Sequence, residues 1–112
     1  LYDAGKEQPL LRNFYYKCRP RLLRPAVIVD YYREAYIFQD VRLTFDMDLA
    51  TGNYRTDLFS RDIRTIPVFP SDRVILEVKF DDDLPFSVRQ LLRPIPATRC
   101  AISKYELCRQ FQ

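Results

Sequence analysis

Histidine is absent from the 112 residues. That excludes His-ligated metal sites, Ser–His and Cys–His nucleophile pairs, and acid–base catalysis by imidazole. Cysteine is scarce. Cys18, Cys100 and Cys108 are odd in number and form no CxxC pair, so neither a zinc site nor a disulfide framework is expected. Free thiols suit a reducing cytosol, and Cys18 and Cys108 lie in segments of helical character, where small buried apolar residues are expected. No apolar run reaches the roughly 20 residues that span a bilayer, and no signal peptide opens the chain. The first residue is Leu rather than Met, which reads as a piece cut from a longer chain. A cytoplasmic location is expected.

Charge of one sign is also lacking. Eighteen Lys and Arg face 15 acids, a formal charge of +3, far from the concentrated basic stripe of a nonspecific nucleic-acid binder. Fourteen of the bases are Arg, whose planar fork can hold phosphate oxygens bidentately. What is present in quantity is apolar and aromatic: 47% hydrophobic residues, with 8 Tyr and 8 Phe but no Trp. With 29% charged residues this is a globular composition, and residues 1–112 read as one domain with a modest core and no internal repeat.

Alternation is the strongest positive signal. Around Val41–Met47, Arg42, Thr44 and Asp46 fall on one face and Val41, Leu43, Phe45 and Met47 on the other. In Val74–Phe80, Glu77 and Lys79 share a face, and Tyr31 and Arg33 do so in Ala26–Phe38. These polar faces collect Arg, Lys, Glu, Asp and Tyr, side chains that bind phosphate oxygens and divalent metals. Neighbouring strands would merge them into one charged surface suited to a polyanion.

Residues 1–9 read as a flexible lead-in, and Leu10–Lys17 as a short amphipathic helix carrying Leu10, Leu11, Phe14 and Tyr15. Strands are expected over Ala26–Phe38 and Val41–Leu49, antiparallel across the Gln39–Asp40 turn. Tyr54–Asp72, with Pro67 and Pro70, reads as a loop holding a short strand or helical turn, and Val74–Phe80 as a third strand. Asp81–Asp83 before Leu84–Pro85 resembles a helix start, with Val88, Leu91 and Leu92 facing the core up to Leu92. Ser103 can cap a last helix to Arg109, packed through Tyr105, Leu107 and Cys108. The fold class is α+β, an antiparallel sheet with flanking helices.

Val-Asp-Tyr-Tyr-Arg-Glu-Ala-Tyr (29–36), Val-Arg-Leu-Thr-Phe-Asp (41–46), Leu-Glu-Val-Lys-Phe-Asp (76–81) and Ser-Lys-Tyr (103–105) resemble, in this order, the later part of the VTC domain. Bacterial chains of this type are called polyphosphate polymerase domain-containing proteins and are similar to the triphosphate tunnel metalloenzymes. That resemblance implies a β-barrel tunnel of eight strands with a charged lumen, of which residues 1–112 would form about half. It implies that Arg33, Arg42, Ser103, Lys104, Tyr31 and Lys79 bind phosphate, and that Glu77 binds a divalent cation, Mg²⁺ or Mn²⁺. Asp46 shares a face with them. Eukaryotic polymerases of the family carry a lysine two positions before the serine, where Ala101 stands here.

The implied activity is metal-dependent phosphoryl transfer from a nucleoside triphosphate to inorganic polyphosphate in the intact domain, or triphosphate hydrolysis where water is the acceptor. This chain alone is expected to be inactive and to form a homo-oligomer through unpaired strand edges. A non-catalytic anion-binding module is the alternative; an RNA or single-strand DNA binder ranks last. On pattern alone, Arg33 and Arg42 read more readily as solvent-facing residues paired with acids across strands; the family resemblance reverses that preference. Glu77 with Lys79 reads as a surface pair, Asp81–Asp83 as capping acids, Ser103–Lys104 as a helix start, and the basic run Arg19, Arg21 and Arg24 as a solvated face. The sharper expectation is that Arg33, Arg42 and Lys104 converge on one anion site, aided by backbone N–H groups at the Ser103 helix start.

Overall fold

A computed structural model describes residues 8–112. The lead-in over residues 1–9 therefore lies outside the described residues except for Gln8 and Pro9, and Pro9 already opens helix α1 (Pro9–Cys18). Proline suits a first helical position because its missing N–H has no partner there anyway. The expected apolar stripe of α1 remains largely in the open: Leu10 and Phe14 are exposed and no residue of the helix is buried. Among the described residues the helix does not pack on the sheet, and only Leu11, Tyr15 and Cys18 of its apolar side chains are half-buried.

Strands β1 (Val29–Phe38) and β2 (Val41–Thr51) pair antiparallel across Gln39–Asp40. Gln39 has φ 54°, and positive φ at the first central residue matches the right-handed twist of the flanking strands. A two-residue turn fixes every pair above it: Phe38 faces Val41, Ile37 faces Arg42, Ala35 faces Thr44 and Arg33 faces Asp46. The register then slips. Between the Tyr32–Met47 and Asp30–Ala50 pairs, β1 has only Tyr31 while β2 has Asp48 and Leu49. This is a β-bulge, and Asp48 adopts the left-handed region at φ 55°, which aspartate tolerates better than most residues.

On the other edge of β2, strand β4 (Ile75–Lys79) pairs with its first half and the two-residue β3 (Ile66–Pro67) with its end. The described residues thus form an open, four-stranded antiparallel sheet centred on β2. The first strand begins at Val29 rather than Ala26, because residues 26–28 are not paired in the sheet, although the carbonyl of Ile28 accepts the N–H of Gly52 at 3.0 Å. Gly52 is a close approach: a Cβ there would meet the Ile28 Cβ at 2.8 Å.

Two short helices follow, α2 (Phe86–Leu92) and α3 (Lys104–Arg109). Helix α2 starts at Phe86 after Pro85, so Asp81–Asp83 lie outside its first turn and do not cap it. The Asp81 N–H instead donates to Asp40 Oδ2 at 3.4 Å, tying the end of β4 to the hairpin turn. Val88 is buried and Leu92 half-buried, one turn apart, whereas Leu91 is exposed and off the packed face. In α3 the spacing of four places Lys104 and Cys108 on one side, toward the sheet, and leaves Tyr105 exposed. The Ser103 hydroxyl accepts from the Glu106 N–H at 3.2 Å and caps the helix.

Among the described residues the core consists of Ile28, Val41, Leu49, Ala50, Val88 and Cys108. Cys108 is buried as expected, Cys18 is half-buried and Cys100 is exposed, all as free thiols. Gln112 closes the C-terminal end, donating through Nε2 to the carbonyls of Ala26 (3.1 Å) and Asn53 (2.6 Å).

Candidate functional site

Residues directly opposite in an antiparallel sheet point to the same side. One side therefore carries Arg33, Ala35 and Ile37 from β1, Arg42, Thr44 and Asp46 from β2, and Ile75, Glu77 and Lys79 from β4. Tyr31 stands two residues before Arg33 on the same strand face, and Lys104 reaches this side from the start of α3. The alternation seen in three separate segments thus becomes one surface with β2 at its centre.

Asp46 organises one end of it. The carboxylate is 1% exposed, yet it is charged because two cations meet on it. Arg33 donates from Nε to Oδ1 at 2.6 Å and from Nη2 to Oδ2 at 2.8 Å, a bidentate fork. Lys104 Nζ lies 2.7 Å from the same Oδ2. The Tyr31 ring serves both cations, with Arg33 Cζ 5.1 Å and Lys104 Nζ 5.2 Å from its centroid, within cation–π range.

The Arg33 hydrogen bonds, opposed by burial and assisted by Lys104, bring the Asp46 carboxyl down from 3.8 to about 2. The same bond holds the Arg33 guanidinium even further above its ordinary value. A carboxyl whose pKa is lower folded than unfolded stabilises the fold above its unfolded value and loses that contribution as pH falls. Asp46 should therefore contribute about 2 kcal/mol above pH ~4, lost progressively toward pH ~2. Urea midpoints measured from pH 5 to pH 2 should fall, and the fall should be shallower in Asp46→Asn. An identical pH slope in the variant would overturn the assignment.

The other end of the face is looser. Arg42 is exposed, stands opposite Lys79, and makes no ion pair among the described residues. Lys79 Nζ lies 3.2 Å from Glu77 Oε1, and both side chains are well exposed. Glu77 faces Thr44, which is 3% exposed and whose Oγ1 has no hydrogen-bond partner among the described residues. One carboxylate beside one unpartnered buried hydroxyl suits a hard cation held chiefly by phosphate oxygens and water. No group of three or more acidic or thiol side chains able to hold a metal occurs among the described residues.

The family model of the VTC domain matches residues 2–111. The chain belongs to the VTC domain family. Neither the curated proteins nor the solved structures contain a match to it. Membership of the VTC domain family points to a polyphosphate-related role. No helix among the described residues is long and apolar enough to cross a membrane.

In this VTC domain, Arg33, Lys104 and Tyr31 come together, and Arg42, Lys79 and Glu77 come together at the far end of the same face. Arg33 and Arg42 are not neighbours. The Ala35–Thr44 pair separates theirs, and the four residue steps from Arg42 to Asp46 span about 13 Å. Ser103 adjoins Lys104, with its hydroxyl engaged as the helix cap. The residue that sequence reasoning undervalued is Asp46. Its signal was present: a two-residue turn at 39–40 pairs residues whose numbers add to the same total, and that rule sets Arg33 against Asp46.

Proposed function

We propose that the polar face of the sheet binds inorganic polyphosphate and the phosphate chain of a nucleoside triphosphate, and that in the intact domain it supports phosphoryl transfer. The observation that carries this reading is the pair Arg33 and Lys104, two cations gathered on one carboxylate, with hydrogen-bond donors left over. Arg42 and Lys79 extend the cationic track by roughly 13 Å along β2, a shape that suits an elongated polyanion rather than a single phosphate. Tyr31 lines the track, and the Ser103 hydroxyl can donate its own proton while accepting from Glu106.

Glu77 would hold Mg²⁺ or Mn²⁺, with Thr44 Oγ1 beside it. Such an ion, when bound, neutralises charge on the phosphate oxygens. The chain's own residues bind and orient: phosphoryl transfer asks for positioning and charge stabilisation more than for a protein nucleophile, which fits a chain without histidine. A growing polyphosphate as acceptor makes the reaction a polymerisation; water makes it a hydrolysis. Glu77 is the one acid among the paired strand residues at this end of the face, which favours, as second reading, an anion-binding module without turnover.

Tripolyphosphate should raise Tm, since a ligand at a hundredfold excess over its Kd adds about 2.7 kcal/mol to stability. The gain should shrink with added salt and be smaller in Arg42→Ala. A Tm that ignores tripolyphosphate, or an equal gain in Arg42→Ala, would overturn the site. Mn²⁺-dependent consumption of a nucleoside triphosphate by the intact domain, lost in Glu77→Ala, identifies transfer; binding without consumption by that same domain identifies the module.

A further inference from the structure

We propose that Asp46 is a positioning residue of the anion site: it contacts no ligand, but holds Arg33 and Lys104 where one phosphate group can take both. This rests on the reading that the polar face binds polyphosphate.

The geometry is specific. Arg33 Nη2 and Lys104 Nζ both bond Oδ2, at 2.8 and 2.7 Å, so the two nitrogens are at most the sum of those lengths, 5.5 Å, apart. Two charge-assisted bonds of about 2.8 Å each can meet on one phosphate oxygen across such a gap. Without the carboxylate, two cations this close repel, and no other hydrogen bond or ion pair among the described residues holds the Arg33 fork. The carboxylate does not exhaust their donors. Of the five N–H groups of Arg33, Asp46 uses two, and of the three on Lys104 it uses one. The remaining donors sit on side chains that are still 30% and 21% exposed, while Asp46 is 1% exposed and out of a ligand's reach. Tyr31 fixes the same two groups from another side, its ring about equally distant from each. Lys104 comes from a helix more than fifty residues beyond β2 in sequence, and the bond to Asp46 is what ties its side chain directly to the partner of Arg33.

Charge counting and positioning make opposite forecasts for Asp46→Asn. The variant keeps the shape and removes one negative charge from the site, so attraction alone would tighten anion binding. Positioning requires the reverse, because the amide offers one oxygen and an N–H₂ that opposes the donors of Arg33 and Lys104. Isothermal titration of the folded chain with tripolyphosphate should show affinity reduced about tenfold in Asp46→Asn. The slope of binding against salt should be unchanged, since every cation remains. In the ligand-free protein, the Arg33 Nε–H proton resonance should exchange slowly with solvent in the wild type and rapidly in Asp46→Asn, a signature that a loss of general stability would not confine to this group. Should Asp46→Asn fail to fold, Arg33→Lys replaces it. That variant keeps the charge but not the fork, and it should also lose affinity.

Wild-type binding with equal or tighter binding by Asp46→Asn overturns the positioning role and leaves the functional reading standing. Wild-type affinity in Arg33→Lys does the same. Absence of tripolyphosphate binding by the wild type overturns the functional reading itself, and the positioning role with it.

Discussion

Asp46→Ala is expected to be among the most destabilising single changes in this chain, costing about 3–5 kcal/mol. The cost does not measure the worth of the ion pairs. A buried ion pair gains little over a well-packed apolar pair, because both charges must first leave water. Breaking it is different. Truncation at Asp46 leaves Arg33 and Lys104 close together, partly desolvated and without an anion, and leaves a void where a side chain with 1% exposure stood. It also cuts a tie of α3 to the sheet, leaving the contact of the Cys108 thiol with the Ala50 carbonyl at 3.6 Å. For a domain of about a hundred residues this corresponds to a fall in Tm of at least roughly 12 °C. Lys104→Met should cost less, because Arg33 still satisfies Asp46 and the methionine keeps most of the apolar stem in place. Urea and thermal unfolding test both. A loss below about 1 kcal/mol in Asp46→Ala would mean that the two cations find water or another partner, and would remove Asp46 from the centre of the site.

Much of this arrangement was legible in the sequence, and the reasons for what was not are physical. The hairpin follows from alternation on both sides of Gln39–Asp40, and its two-residue turn fixes the register without further information. That register brings Arg33 and Asp46 together, in keeping with the simple reading of Arg33 as a strand residue paired with an acid across the sheet. It also separates Arg33 from Arg42, since Arg42 must then face Ile37. The Ser103 cap and the helix to Arg109 were legible because capping depends on residues three positions apart. Legibility ended where distant segments compete for the same group. The acids 81–83 suit a helix N-terminus, a preference worth only about 0.3–1 kcal/mol. The chain there instead bonds the hairpin turn through Asp40, and the helix starts only at Phe86, after Pro85. The bulge at Asp48 was hidden because alternation of Met47 and Leu49 is compatible with a regular strand; only pairing with β1 reveals the extra residue. Lys104 on Asp46 is a tertiary contact that no local pattern specifies. The tunnel implied by the family resemblance needs strands beyond the four of this open sheet.

Leu49→Ala should cost about 2–5 kcal/mol, the range for a buried leucine truncated in a close-packed interior. Leu49 is 2% exposed and is the largest of the fully buried side chains among the described residues. Among the described residues the core it belongs to contains six buried apolar residues, so little surrounding material can relax into the space left behind. Its backbone position adds to the effect. Leu49 follows Asp48 in the bulge, and its carbonyl accepts the Val68 N–H at 3.0 Å, which docks the segment carrying β3. Loosening the bulge would also disturb Tyr31, which lies opposite it and whose ring is shared by Arg33 and Lys104. The variant should therefore lose stability and, to a smaller degree, tripolyphosphate affinity. Leu91→Ala is the matched control, the same chemical change at a side chain 71% exposed, and should stay within about 0.5 kcal/mol of the wild type. Comparable losses at both positions, read from urea midpoints under one set of conditions, would show that the packing around β2 is not where the stability of this sheet resides. A large loss at Leu49 alone, with tripolyphosphate binding weakened in the fraction that stays folded, would show that the bulge couples the core to the polar face.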